Sequence, residues 1–596
     1  MRRLSALLQA GSFRVAHDQL EAIVDANPKF VEGLRLFAGT KQALGDAGAA
    51  ETLLRRALQL EPAWTPTLTT LGELLLNSGR SAEAESLLQR AVSGSPPYPR
   101  AALLLARYYN DLGKPAQALE VAAPLCMSGK ADAELDAQHI AALNALGRQN
   151  DAVAGYRGIV AAAPDNLAAA HSLAIALNMA NQHDEAARVA QHVLARGYKS
   201  AALYNTHARS LIAQGALESA ESALRDCLTL DPRLIDAQNN LAQLIWMRTG
   251  DIAQATDAFD RALQTFDNDD ALWAARAAIL QGAGDARAAY ACLAPRVTRA
   301  QAPPMLLVRA ALAALEFDSA TALMLAERAL HSLPDNAAAR AVLVAAQLGI
   351  GDARGALPHC DTLLANAPDD QYLIALKTTA WRLLGDERYT QLCDYKNLVV
   401  PVQLDTSPPW PDLASFFADL RLSLNPLHNP HGHPLLFQSL RRGTETTQDL
   451  TRNADPAIQA LFRSFAAPIR DYLKIMGQGS DPLRRRNRGT WRFNGSWSVR
   501  LRTMGHHANH VHPRGWISSA CYVELPDIMN DARREDGVLT FGQPSIITTP
   551  ALGAEYVVRP EVGMLVLFPS YFWHGTVPFS SDQARLTVAF DAVPDR

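Results

Sequence analysis

A long all-α solenoid followed by a smaller, mainly-β domain is the multidomain fold class that this sequence predicts. Three observations predict it. Prolines, glycines and alanines in the first two thirds recur with one period of 34 residues. That lattice stops near residue 395. From Thr490 the apolar pattern changes to a period of two, the alternation of half-buried strands. With 596 residues the chain exceeds what one hydrophobic core supports, so at least two folding units are expected.

The repeat is read first, because missing it would misread everything after it. Pro28, Pro62, Pro96, Pro164, Pro232, Pro334 and Pro368 are separated by multiples of 34. They fill seven of eleven lattice slots, where 34 prolines scattered over 596 residues would fill fewer than one. A second lattice holds Gly11, Gly45, Gly79, Gly113, Gly147, Gly215, Gly351 and Gly385. Gly250 and Gly284 fall one residue late, as if one residue entered near Met247 and one left before Pro334. A third lattice is alanine five residues after each glycine slot, from Ala16, Ala50 and Ala84 to Ala322 and Ala356. Two helices per repeat explain all three. Glycine takes the turn between them, alanine lets them approach, and proline cannot continue the second helix. Blocks such as AAETLLRRALQLEP carry apolar residues at helical spacing.

These lattices resemble the tetratricopeptide repeat family over about two thirds of the chain. Residues 1–396 then hold about eleven repeats and a degenerate twelfth, which ends near Asp394 and has lost the alanine. The resemblance implies a curved array whose concave face receives a peptide or protein.

The stretch NLVVPVQLDTSPPWPDL (397–413) has four prolines and no repeat register, and is expected to be the junction. Helices are expected in DLASFFADLRLSL and over 455–476. Within the remaining domain, 414–596, the core is 490–594. Six short segments there (TWRFNGSWSVRLR, WISSACYVELP, GVLTFGQP, EYVVRP, GMLVLFP and RLTVAFDAV) are β-branched or aromatic and bounded by Gly, Pro, Asn or Asp. That many short strands predict a jelly-roll or barrel-like sandwich.

The chemistry gathers around histidines. His510 and His512 are two apart, and on an extended segment such residues share a face, which makes half of a metal site. His574 follows just after a predicted strand. Eleven residues on comes Arg585, with Thr587 on its face. His506 and His507 do not share the face of His510 and are expected at the site entrance. The cluster HNPHGHP (428–434) reads as a loop with a structural or substrate-edge role, and Arg484 to Arg486 as a solvated basic turn. Arg442 and Arg492 are candidates for substrate contact.

The order H-x-H, distal H, then R-x-T resembles the iron(II)- and 2-oxoglutarate-dependent oxygenases. The closer likeness is to a bacterial branch with Trp497, His510 to Pro513, Tyr522–Val523 with Pro526, Gly563 to Pro569, and His574. The resemblance implies a double-stranded β-helix with flanking helices. It implies that His510, His512 and His574 hold Fe(II), and that Arg585 binds the distal carboxylate of 2-oxoglutarate as a bidentate fork. Thr587 and Tyr522 are expected to add hydroxyl hydrogen bonds, and the activity implied is a dioxygenase, most simply a hydroxylase. One residue departs from the pattern: most of the superfamily has a carboxylate where His512 stands. That leaves three alternatives open: His512 as a group behind the ligands, a three-histidine oxygenase without 2-oxoglutarate, or a scaffold whose β domain has lost turnover. Halogenation needs a small residue at position 512 and is disfavoured.

Composition excludes other classes. A net charge of −4 gives no bulk case for nucleic acid or an anionic membrane as partner. No run of 18 apolar residues offers a membrane span, and MRRLSALLQAGSF suits a repeat helix better than a secretory signal. Six scattered cysteines without a CxxC pair read as buried thiols in a reducing, cytoplasmic setting.

Overall fold

The computed structural model describes Leu4 and residues 13–595, apart from 95–96, 130, 406–407, 430–431 and 532. Gly11, Pro96 and the first twelve residues other than Leu4 lie outside the described residues, and with them the expectation of a first repeat helix. The chain forms two compact units, Met1–Leu230 and Asp231–Arg596. The described part of the first is helical. The second joins the remaining repeat helices to the β domain. None of the described helices is long and apolar enough to cross a membrane.

Each repeat is a helix pair, such as Val31–Ala43 with Ala47–Leu60, or Ala201–Ala213 with Leu217–Leu230. The three lattices take the roles their chemistry predicts. Every lattice alanine from Ala16 to Ala356 is at most 1% exposed, so a larger side chain there would meet the partner helix. The lattice glycines from Gly45 to Gly385 turn with positive φ, and in one of the two slots without glycine Asn181 does the same at φ 57°. The residue after the turn is often aspartate, and Asp46, Asp251, Asp285 and Asp352 each cap the second helix through the side chain. The register slips are visible as lengths. Ile235–Thr249 has 15 residues and Pro304–Ala314 has 11, where Asp270–Gly282 between them has 13. In the twelfth repeat Gln371–Leu384 is followed only by short helices, Glu387–Leu392 and Tyr395–Leu398, and Thr390 stands in the alanine slot.

The β domain has nine strands: β1 (Val400–Gln403), β2 (Leu440–Glu445), β3 (Arg492–His507), β4 (Ile517–Glu524), β5 (Leu539–Phe541), β6 (Tyr556–Val558), β7 (Met564–Pro569), β8 (His574–Thr576) and β9 (Arg585–Val593). They form two antiparallel sheets, ordered β1-β7-β4-β9-β3-β2 and β6-β5-β8. Six strands coincide with the six segments read from sequence. β1, β2 and β8 do not, and β1 comes from the stretch expected to be the junction. One face of the large sheet packs Phe493 and Phe590 on Phe462 and Phe465 of the flanking helices. The other faces the small sheet, with Phe541 5.0 Å from Phe568. The helix expected over 455–476 is two, Pro456–Ser464 and Ala466–Met476, because Pro468 has no N–H for the carbonyl of Ser464. The basic turn is not merely solvated: Arg485 pairs with Asp369 at 2.8 Å and Arg486 donates to the Gly515 carbonyl.

Within the second unit the first helix of each repeat carries the β domain. Trp573 donates from its indole to Thr379 Oγ1 at 2.9 Å, and the Gln371 amide donates to the Pro513 carbonyl at 3.1 Å. Arg382 donates to the carbonyls of Gly542 and Gly553. The segment before β2 runs along two more first helices, Ile235–Thr249 and Asp270–Gly282, the Phe437 amide donating to the Gly282 carbonyl of the second. Trp246 donates to the Pro434 carbonyl, the His433 amide to the Met247 carbonyl, and the Leu436 amide to Gln243 Oε1.

Candidate metal centre and its cavity

His574 opens β8, immediately after the Tyr571–Phe572–Trp573 turn, whose rings are buried. His510 belongs to no strand, but exchanges two backbone hydrogen bonds with His574, of 2.9 and 3.0 Å, as an isolated antiparallel bridge. The segment beyond stays extended, its His512 amide donating to the Ser570 carbonyl. His512 therefore lands beside His510 on one face, the i, i+2 relation read from sequence. The ring centroids of His510 lie 4.2 Å from His574 and 5.1 Å from His512, and those of His512 and His574 are 5.1 Å apart. One nitrogen from each ring lies within 4.8 Å of the other two.

Their outward nitrogens are all committed. His510 Nδ1 donates to the Ala508 carbonyl at 2.9 Å and His574 Nδ1 to the Phe572 carbonyl at 2.9 Å. His512 Nδ1 donates to Asp591 Oδ1 at 2.6 Å, and that carboxylate is steadied by Ser518 Oγ at 2.7 Å. An acceptor at Nδ1 fixes the tautomer and turns the Nε2 lone pair inward, the arrangement of metal-bound imidazoles. Burial, followed by the charge of His512, holds His510 down to about 3, and burial pushes His574 well below the usual imidazole value. Burial also favours neutral His512, but the charge and hydrogen bond of Asp591 outweigh it and raise its pKa. His510 Nε2 lies 3.2 Å from His512 Nε2 and 3.3 Å from Ser439 Oγ. Three imidazoles with converging lone pairs, His574 buried and His510 and His512 half-buried, fit a first-row metal ion.

Arg585 and Thr587 line the same cavity from β9. Arg585 is 3% exposed. One of its terminal nitrogens donates to the Gly537 carbonyl at 3.1 Å, while Nε has no hydrogen-bond partner. Among the described residues no carboxylate pairs with it. Burial lowers its pKa below the usual guanidinium value. A buried cation facing a cavity without a counter-charge fits an anionic ligand. Tyr522 is not in the cavity wall. Its ring lies under the guanidinium, 5.1 Å away, and its buried hydroxyl has no partner.

The cavity measures about 1150 Å³. One wall is the large sheet, with Trp497, Val499 and Ala589 beside the residues already named; another is Gln281, Leu312, Leu315, Glu316 and Tyr372 from the repeats. Of the other sequence candidates, His507 lines the cavity with its Nδ1 3.0 Å from Ser439 Oγ, but His506, Arg442 and Arg492 do not line it. His428 is structural, buried between Thr444 Oγ1 and Ser498 Oγ at 3.0 Å each. Sequence reasoning missed Asp591, although β9 carries the signal. Arg585, Thr587, Ala589 and Asp591 alternate on one face, and a carboxylate inside RLTVAFDAV asks for a partner. It also missed Glu445 at the end of β2, half-buried in the cavity wall, where burial pushes its carboxyl up to about 7.

Comparison with known proteins agrees with this division. Residues 495–591 match the family described as "Putative 2OG-Fe(II) oxygenase", a span that includes all three histidines, Tyr522, Arg585, Thr587 and Asp591. Residues 41–93, 75–137 and 205–271 match tetratricopeptide repeat families. No curated protein matches the chain. Solved structures similar to it include a tetratricopeptide repeat protein from Parabacteroides merdae ATCC 43184, at 14% identity over 41% of this chain and 96% of that one, with a TM-score of 0.33. The Cut9–Hcn1 hetero-tetramer of APC/C is similar at 14% identity, over 64% and 89%, with a TM-score of 0.27. The chain thus combines tetratricopeptide repeats with a C-terminal domain matching that oxygenase family.

Proposed function

We propose that this protein is an iron(II)- and 2-oxoglutarate-dependent oxygenase, a hydroxylase, whose repeats help to seat a protein or peptide substrate. The observation that carries the proposal is one cavity holding both three inward imidazole nitrogens and a buried, unpaired Arg585. His510, His512 and His574 would hold the iron, and Asp591 keeps His512 in the ligating tautomer. Arg585 would receive the distal carboxylate of 2-oxoglutarate, with Thr587 as a hydroxyl donor and Tyr522 bracing the guanidinium from behind. When bound, the metal and cosubstrate supply the oxidising power to convert a substrate C–H to C–OH using dioxygen, with release of succinate and carbon dioxide. Leu539, Phe568 and Val511 give the centre apolar surroundings that limit water. Recruitment by the repeats is supported by the five repeat residues in the cavity wall, which a bound substrate would touch. Six free cysteines support a reducing compartment, and we place the protein in the cytoplasm.

A histidine in place of the usual carboxylate points toward a cosubstrate-free oxygenase, and Arg585 in the same cavity favours 2-oxoglutarate over it. The test is succinate formation from 2-oxoglutarate by the Fe(II)-loaded full chain in air. We expect turnover in the absence of a prime substrate. Arg585→Ala should raise the 2-oxoglutarate requirement at least tenfold while bound iron is unchanged. An Arg585→Ala protein with an unaltered 2-oxoglutarate dependence would sink the cosubstrate assignment.

A further inference from the structure

We propose that the cavity selects a substrate with a cationic side chain, lysyl or arginyl, received by Glu445 and Trp497. This rests on the reading of the cavity as an oxygenase active site and names its substrate class.

Glu445 on β2 stands opposite Val499 on β3, and both line the cavity with Trp497 two residues earlier on β3. The indole of Trp497 lies 5.7 Å from the His512 ring, so this corner abuts the three histidines. Among the described residues the carboxyl of Glu445 makes no hydrogen bond or ion pair. The other carboxyls in the wall are committed, Asp591 to His512 and Ser518, and Glu316 to the side-chain amide of Gln281 at 2.6 Å. Of the nearby cations, His512 acts on it only through space and is itself bonded to Asp591. Arg441 donates to the carbonyls of Gln438 and Leu440, and Arg585 has Gly537. A half-buried carboxyl without a bonded partner is best compensated by a ligand that brings a positive charge or strong donors. An aromatic face beside it adds cation–π attraction. Leu312, Leu315 and Phe437 supply apolar surface along which the methylenes of a lysyl or arginyl stem can lie. A free amine or guanidine shares that chemistry, but the breadth of the cavity and its wall of repeat helices suit a residue presented on a polypeptide.

The test uses the full chain with Fe(II) and 2-oxoglutarate, without oxygen, and reads fluorescence anisotropy. The probes are fluorescein-labelled peptides differing only at a central lysine, arginine, acetyl-lysine or glutamate. The lysine and arginine peptides should bind at least tenfold more tightly than the acetyl-lysine and glutamate peptides. Glu445→Gln should remove that preference and Glu445→Lys should turn it toward the glutamate peptide. Trp497→Leu should weaken the cationic peptides several-fold. Free lysine competing at concentrations comparable to the peptide, in a Glu445-dependent way, would keep the cationic subsite and overturn the polypeptide source. Equal binding of all four peptides to the unaltered protein, which needs no variant to fold, would overturn the proposal, as would a preference that survives Glu445→Gln. The two readings fail separately. Succinate formation without charge preference removes only the subsite, and charge preference without 2-oxoglutarate binding removes the oxygenase reading.

Discussion

In the repeats, side chains reach one repeat away. Arg55 bonds Glu83 and Asn178 bonds the Thr206 carbonyl, each 28 residues on, and Ser172 bonds Asp136 across 36. In the β domain the reach is longer: 79 residues separate His512 from Asp591, and 194 separate Trp573 from Thr379. The repeats thus build stability from neighbours, many times over, while the cavity is assembled once from distant parts of the chain. A local contact has near-copies along the array. The cluster of His510, His512 and His574 has none.

The sharpest way to break this contrast is to remove one of the three clustered histidines. His574→Ala, or His510→Ala, should abolish stoichiometric iron and succinate formation while the helical circular dichroism stays intact. Iron retained at full stoichiometry would mean that the centre is not built from these residues. Asp591→Asn tests the distant partner. It should weaken metal affinity about 10–100-fold, less than losing a ligand, in a competition titration against a chelator.

In the repeats, His171 is 1% exposed and burial holds its pKa down to about 4. The folded chain therefore refuses a proton that the unfolded chain accepts below about 6.5. Its contribution is complete above that value and is lost as pH falls toward 4, by on the order of 3 kcal/mol. Asp136 works in the opposite sense, since burial raises its carboxyl. Comparing urea unfolding of the native chain and His171→Gln from pH 7 to pH 4 isolates the histidine: the variant should show the shallower loss. An equal loss in both would refute the assignment. The smallest effect is expected from Ala220→Leu at a fully buried lattice position. About 1–3 kcal/mol of overpacking should appear in unfolding, with succinate formation unchanged.

How much could be read from the sequence follows the same contrast. The repeats were legible because Pro232, Gly215 and Ala220 each act through local geometry, and local geometry leaves a mark at a fixed offset. The histidines were legible because His510 and His512 are close in sequence and His574 completes a recognisable order. Asp591 was hidden in a strand whose other polar residues already had roles. β8 has only three residues, HGT, and β2, LRRGTE, is polar with its register shift at Arg442, so neither offers an apolar alternation. β1 carries Pro401, which suits an edge strand and argues against a central one. Nothing in the periodicity marks Gln281, Leu312 or Tyr372 as cavity residues, because inside a repeat they look like any other helix positions.

The first helices of the last repeats are fastened to the β domain through Thr379, Gln371, Arg382 and Trp246. A recombination event that cut at the end of the periodic sequence, near residue 396, would carry off the acceptor for Trp573 and one wall of the cavity. For a laboratory seeking to graft this chemistry onto another array, the inheritable module begins earlier than its own composition announces. It includes repeats that a parser of periodicity would assign to the neighbour.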